Sequence, residues 1–220
     1  PWERRGKNWF VGDERSVGRR QLEQALETKT GANLFSTLLA AFPLTLWKWT
    51  GPDDLTVGTP VANRNKVAVR DTMGYFSGVV PLRGQVDPER KFADHLRVMH
   101  ATAVDCFAQA MPFAELSRLL GRQEGDPHAI FDVRFALQNH PLPDVDLPRI
   151  STRLRMRSTG TTRFDLGCEI TESGAGLEVI WLFRPEICDQ KSIRELDSMF
   201  QAVVAHVCRN PESPASELTV

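Results

Sequence analysis

The chain has 220 residues, 41% of them hydrophobic and 25% charged, with a net charge of −1. That length and apolar content suit one to one and a half domains around a sizeable core, and the even charge gives no reason to expect nucleic acid or an anionic membrane as partner. No apolar run approaches the roughly 20 residues that span a bilayer, and Pro1-Trp2-Glu3-Arg4-Arg5 lacks the apolar segment of a signal peptide. The chain does not begin with Met, so it is expected to be a piece of something longer or a processed product.

Residues 1–16 are polar and mixed in charge, and read as a linker or the end of an upstream element. Ser16 caps a predicted helix over about 17–30, with Leu22, Ala25 and Leu26 on one face and Gly31 as its stop. Asn33 caps a second, whose Leu34, Phe35, Leu38, Leu39, Phe42, Leu46 and Trp49 recur at helical spacing. Pro43 is expected to kink or limit this helix, and Thr50-Gly51-Pro52 to end it. Leu55–Val61 reads as a buried strand, 62–72 as a polar loop, and Tyr75–Leu82 as a second strand bounded by Gly74 and Arg83. After the Asp87-Pro88 turn, Phe92, Leu96, Met99, Ala103, Phe107 and Ala110 trace a long amphipathic helix, and Pro112 opens a shorter one through Leu120. Ile130–Leu137 reads as a strand, followed by a loop containing Pro141, Pro143 and Pro148. Phe164, Leu166, Cys168 and Ile170 alternate with polar residues, as do Leu177, Val179, Trp181 and Phe183, with a hairpin turn at 172–176. Asp189 caps a final helix that Asn210-Pro211 stops. This order predicts an α/β fold, a mixed β-sheet layered with α-helices in one lobe over 17–220.

The residues alone offer no self-contained active site. Cys106, Cys168, Cys188 and Cys208 form no CxxC pair and sit in apolar stretches, so they are expected to be reduced and buried, which points to the cytoplasm. His95 and His100 lie five apart on one predicted helix, about 140° around it and unable to share a metal. His128, His140 and His206 complete no ligand set either. There is no GxSxG, P-loop or GxGxxG. Arg153, Arg155 and Arg157 alternate with Leu154 and Met156, which places three guanidinium groups on one strand face. They suit either a solvated edge or a docking face for an acidic or phosphate-bearing partner.

Four segments, taken together, resemble condensation domains of nonribosomal peptide synthetases. Thr37-Leu38-Leu39-Ala40-Ala41-Phe42 followed by Thr50 to Arg64 is similar to the family's TLLAAF…TGQDDIVVGTPVANR. Met73 to Arg83 resembles IGxFVNTLPLR, with Gly78 for the Asn and Val79 for the Thr. Ala108 to Leu116 resembles HQDxPFExL, with Ala108, Ala110 and Ala114 in place of its His, Asp and Glu. Phe131 to Asn139 resembles FxVxFALQN, and Arg163-Phe164-Asp165-Leu166 the family's KFDL.

The resemblance implies the C-terminal lobe of a chloramphenicol-acetyltransferase-like, two-lobed domain. A tunnel between the lobes takes donor and acceptor on the phosphopantetheine arms of carrier proteins, and an amide bond forms between them. The family's HHxxxDG motif does not occur in this chain, so the resemblance implies no catalytic residue here and no cofactor bound by the chain itself. It implies as partners the N-terminal lobe, carrier proteins and adjacent synthetase domains. The residues it implies as tunnel or substrate lining are Gly58, Thr59, Asn63, Arg64, Gly74, Ser77, Gly78 and Gln138, with Arg153, Arg155 and Arg157 for carrier docking. Two other readings fit the same family. One is a degenerate condensation-like domain that recruits a partner enzyme and catalyses nothing. The other, an acyl-CoA-dependent acyltransferase of the same superfamily, expects a DFGWG-like motif, and Phe164-Asp165-Leu166-Gly167 is not one.

Overall fold

The computed structural model describes residues 9–11, 33–64, 67–70, 72–121, 130–138, 164–173 and 176–218. The predicted helix at 17–30 and the three alternating arginines at 153–157 lie outside the described residues.

Helix α1 (Leu34–Thr50) begins as its sequence predicts. The Asn33 side-chain oxygen accepts from the Ser36 amide at 2.9 Å, satisfying one of the donors that a helix start leaves open. Pro43 lies inside the helix without ending it. The backbone bond that proline removes is offset by burial, since Leu38, Leu39, Ala40, Ala41, Phe42 and Leu44 are each at most 1% exposed. Gly51 then takes φ 96° and its amide closes on the Trp47 carbonyl at 2.8 Å, a left-handed stop that suits glycine.

Strands β2 (Asp54–Val61) and β3 (Gly78–Gln85) pair antiparallel along their whole length. The sequence predicts the second strand at Tyr75–Leu82; it starts and ends three residues later. Arg83 does not terminate it because β3 has one wet face, with Val80, Leu82 and Gly84 buried while Arg83 and Gln85 are exposed. The connection between these strands contains a single helical turn, α2 (Val67–Arg70), in the expected polar loop. Helix α3 (Phe92–Ala108) and the short α4 (Phe113–Leu119), opened by Pro112, follow. Then come β4 (Val133–Gln138), the hairpin of β5 (Leu166–Ser173) and β6 (Gly176–Phe183), and α5 (Gln190–Arg209). In the stretch 1–16, expected as a linker or upstream end, Trp9–Val11 form strand β1 against β6. Three residues are too few for an alternation to show.

The sheet runs β1-β6-β5-β4-β2-β3. Its β2–β4 and β4–β5 pairs are parallel and its outer pairs antiparallel, the mixed sheet predicted. Register aligns Phe135, Cys168 and Trp181 across three strands. Against that face Phe42 of α1 lies 5.3 Å from Phe135, 6.1 Å from Trp181 and 6.3 Å from Phe200 of α5 between ring centroids. The buried carboxylate in this layer is paired on both oxygens: the Trp181 indole donates to Asp197 at 2.7 Å and Gln201 to the other carboxylate oxygen at 2.8 Å. After α5 the chain folds back over the start of α3, where the Ser213 and Pro211 carbonyls accept from the Phe92 and Ala93 amides at 3.0 and 2.8 Å.

Candidate functional site

Five of the eight predicted lining residues gather in one place, the connection from β2 to β3. Asn63 adopts φ 52°, a left-handed conformation that Asn tolerates, and its amide nitrogen donates to the Phe76 carbonyl at 3.0 Å. Arg64 turns inward. Its Nη1 donates to the carbonyls of Val69 at 2.9 Å, Thr72 at 2.7 Å and Arg70 at 3.5 Å, and its Nη2 to Gly74 at 2.9 Å. The guanidinium lies over the Phe76 ring, 4.7 Å from its centroid. Gly74 has φ 147°, which an L side chain rarely adopts. Ser77 is exposed on the same loop. A Cβ at Gly78 would come 2.8 Å from the Asn63 amide nitrogen. The glycine found where the family has Asn therefore leaves room for the Asn63–Phe76 contact.

The other three lie on strands. Thr59 is 1% exposed on β2. The space over Gly58 is filled by the Phe131 ring, since a Cβ there would lie 2.0 Å from Cε2. Phe113 and Phe164 flank Phe131 at 5.7 and 5.5 Å. This packing explains why β4 starts at Val133 rather than Ile130: Phe131 leaves the strand to cover Gly58. Gln138 ends β4, half-buried, opposite Thr171. The β2–β4 ladder is bonded at Val57–Val133 and Gly58–Arg134, and continuing that parallel register sets Gln138 level with Ala62, next to Asn63.

Sequence reasoning passed over an ion pair beside these residues. Register sets Pro81, Gly58, Arg134, Gly167 and Leu182 in one row across five strands, on the face opposite Trp181. Arg134, flanked in the row by two glycines, pairs with Glu169, and both are about one-fifth exposed. The signal was the one charged residue, Arg134, in the apolar run Val133–Leu137. Phe76 and Phe131 likewise figured only as motif letters, although one supports Arg64 and the other covers Gly58.

The histidines and cysteines hold no ligand set: among the described residues no group of three or more His, Cys, Asp or Glu is placed to bind a metal. His95 and His100 both face α1 but meet different turns of it. His95 Nε2 donates to the Ala40 carbonyl at 3.1 Å, and His100 Nδ1 lies 2.8 Å from Ser36 Oγ. Burial lowers the His95 pKa to about 4, so its imidazole is neutral at pH 7, with Nδ1 unpartnered. The cysteines are free. Cys168 is buried as expected, while the other three are half-buried. Burial raises all four, Cys168 well above the usual thiol and Cys208 to about 11. They are thiols rather than the thiolates that act as nucleophiles.

The mixed sheet layered with helices carries the motif-bearing loop after β2. The condensation-domain family model matches residues 10–220, and the chain belongs to that family. A linear gramicidin synthase subunit of Brevibacillus parabrevis is 31% identical over 194 residues, which are 86% of this chain and 4% of that protein. Surfactin synthase subunit 1 of Bacillus subtilis is 28% identical over 206 residues, 93% of this chain and 6% of that one. The chain thus spans a small part of these synthetases. The first condensation domain of the calcium-dependent antibiotic synthetase superposes with a TM-score of 0.78 at 24% identity, over 97% of this chain and 48% of its own. The X-domain from teicoplanin biosynthesis does so with a TM-score of 0.81 at 18% identity, over 100% and 52%. At these identities the likeness is one of fold. No helix among the described residues is long and apolar enough to cross a membrane.

Proposed function

We propose that this chain is the C-terminal lobe, over about 17–220, of a nonribosomal peptide synthetase condensation domain in the cytoplasm. In this reading it helps form an amide bond between a donor and an acceptor, each held as a phosphopantetheine thioester on a carrier protein. The observation that carries the reading is one of extent: 97% of the chain superposes on a condensation domain yet fills only 48% of it. The missing half would bring HHxxxDG and its base, and this lobe would bring positioning. Holding amine and thioester together is worth roughly 7–11 kcal/mol of barrier, so a lobe without the base can still be essential. The connection from β2 to β3 presents Val67, Met73 and Tyr75 at 81%, 98% and 90% exposure. Apolar side chains so bare suit an unoccupied contact surface, and the preceding lobe is the partner this reading assigns to it.

The test is to express the chain with its preceding segment and supply both carriers loaded. Amide should form, and replacing the second His of the upstream HHxxxDG should abolish it. No amide from an intact motif would sink the reading. A second reading, recruitment of a partner enzyme without catalysis, is favoured by Gly78, Ala108 and Ala110, which stand where the family has polar groups. A broken upstream motif with a bound partner would establish it.

A further inference from the structure

Between β2 and β3 the backbone turns several carbonyl groups toward one point, and Arg64 occupies that point. Carbonyls crowded together repel one another unless a shared donor serves them. A guanidinium can serve several at once, because it is planar, always charged, and carries five donors in a rigid fork. Here two of its nitrogens reach Val69, Thr72 and Gly74 at 2.9, 2.7 and 2.9 Å, with Arg70 at 3.5 Å. Phe76 supports its face at 4.7 Å, and Asn63 fastens the Phe76 carbonyl from the preceding residue. At the other end of the hairpin Arg83 holds Asp54 through two bonds of 2.8 and 2.6 Å. The hairpin is therefore fastened at both ends; within the loop Thr72 also bonds the Ala68 and Val69 carbonyls at 3.1 and 3.3 Å, but Arg64 is the group that joins carbonyls from Val69 to Gly74.

We propose that Arg64 is a positioning residue: it gathers the carbonyls of Val69, Arg70, Thr72 and Gly74 into one loop shape and so sets how Val67, Met73 and Tyr75 are presented. It acts through the loop and touches neither substrate nor carrier, which distinguishes it from a tunnel-lining group. A preordered surface spends less of its contact energy on ordering, so the loop's shape governs how well the site assembles. The effect on catalysis rests on the condensation reading; the effect on the loop does not.

The test compares Arg64→Ala and Arg64→Lys with the parent, in the polypeptide that carries this chain. Two quantities are measured: chymotrypsin cleavage after Tyr75 and Phe76, mapped by mass spectrometry, and amide formation at varied carrier concentration. Both variants should keep the overall unfolding temperature, because the loop is at the surface. Cleavage should quicken by about 10- to 100-fold, the scale of losing one or two charged hydrogen bonds. Turnover kcat should fall while KM for the carriers holds, and lysine, a single compact ammonium, should restore little. Methylguanidinium below denaturing concentration should slow the cleavage of Arg64→Ala and recover its turnover. Unchanged cleavage in both variants would overturn the proposal. So would slower turnover with unchanged cleavage, or a raised carrier KM, because Arg64 would then meet the reacting partners directly. If the parent forms no amide, only the condensation reading fails, and the cleavage result still decides the role of Arg64.

Discussion

Two glycines of the family motifs, Gly58 and Gly78, behave differently once their neighbours are known. Gly58 faces an aromatic ring held between two others, so a methyl group there must displace a packed cluster. Gly78 faces the end of one flexible side chain, which can swing away. Gly58→Ala should therefore cost about 1–3 kcal/mol as overpacking, and Gly78→Ala well under that, measured by urea unfolding of each variant. Equal costs would mean that the Phe131 cluster yields as easily as Asn63. His95 supplies a second contrast. Its folded pKa of about 4 lies below the usual 6.5 because burial disfavours the cation. Asp87 and Arg90 nearby act in opposite directions. The neutral form is thus the folded form: its contribution is full above pH 6.5 and is lost as the pH falls toward 4. The loss should approach about 3 kcal/mol at the acid end. His95→Gln should flatten the urea midpoint between pH 7 and pH 4.5 relative to the parent.

Among the elements, α1 is the one on which the others depend. It lies on the sheet between helices α3 and α5, buried from Ser36 to Leu46, and an apolar helix of this kind has no face to turn to water. Its cap is local and modest: Asn33→Ala should cost about 1 kcal/mol, read as a lowered unfolding temperature with the fold intact. The segment 211–218 is a different kind of element. It has almost no regular structure, yet Ala215 and Leu218 are buried and its carbonyls serve the open amides of α3. Deleting 211–218 should therefore destabilise more than its length suggests, through two unpaired helix amides and the exposed start of α3. Hydrogen exchange at Phe92 and Ala93 would locate the damage.

For the whole molecule the telling feature is a well-filled core beside bare apolar side chains on one loop. Under the proposed reading the chain alone should self-associate at micromolar concentration through Val67, Met73 and Tyr75. Sedimentation of a Met73→Glu, Tyr75→Ser variant should return it toward monomer. A parent that stays monomeric, with these residues bare, would count against a missing partner at that surface. Joined to its preceding segment, the chain should instead be monomeric and more stable.

How much of this was legible varies by kind of interaction. Helix spacing, the caps Asn33 and Asp189, the stop at Gly51 and the β5–β6 alternation were readable because they depend on residues within a few positions of one another. The family's ordered motifs were readable too, as residue types in a row. What depended on distant partners was not. Nothing local tells that Gly58 lies under Phe131, that Arg134 meets Glu169, or that β3 begins only at Gly78. The conformational roles of Arg64 and Asn63 were hidden for the same reason: a hydrogen bond to a carbonyl leaves no mark on the identity of the residue that accepts it. Sequence by itself determined the family and the elements whose signals are local; the tertiary structure decided the strand bounds and which groups meet, because packing and backbone acceptors are selected by the folded chain as a whole.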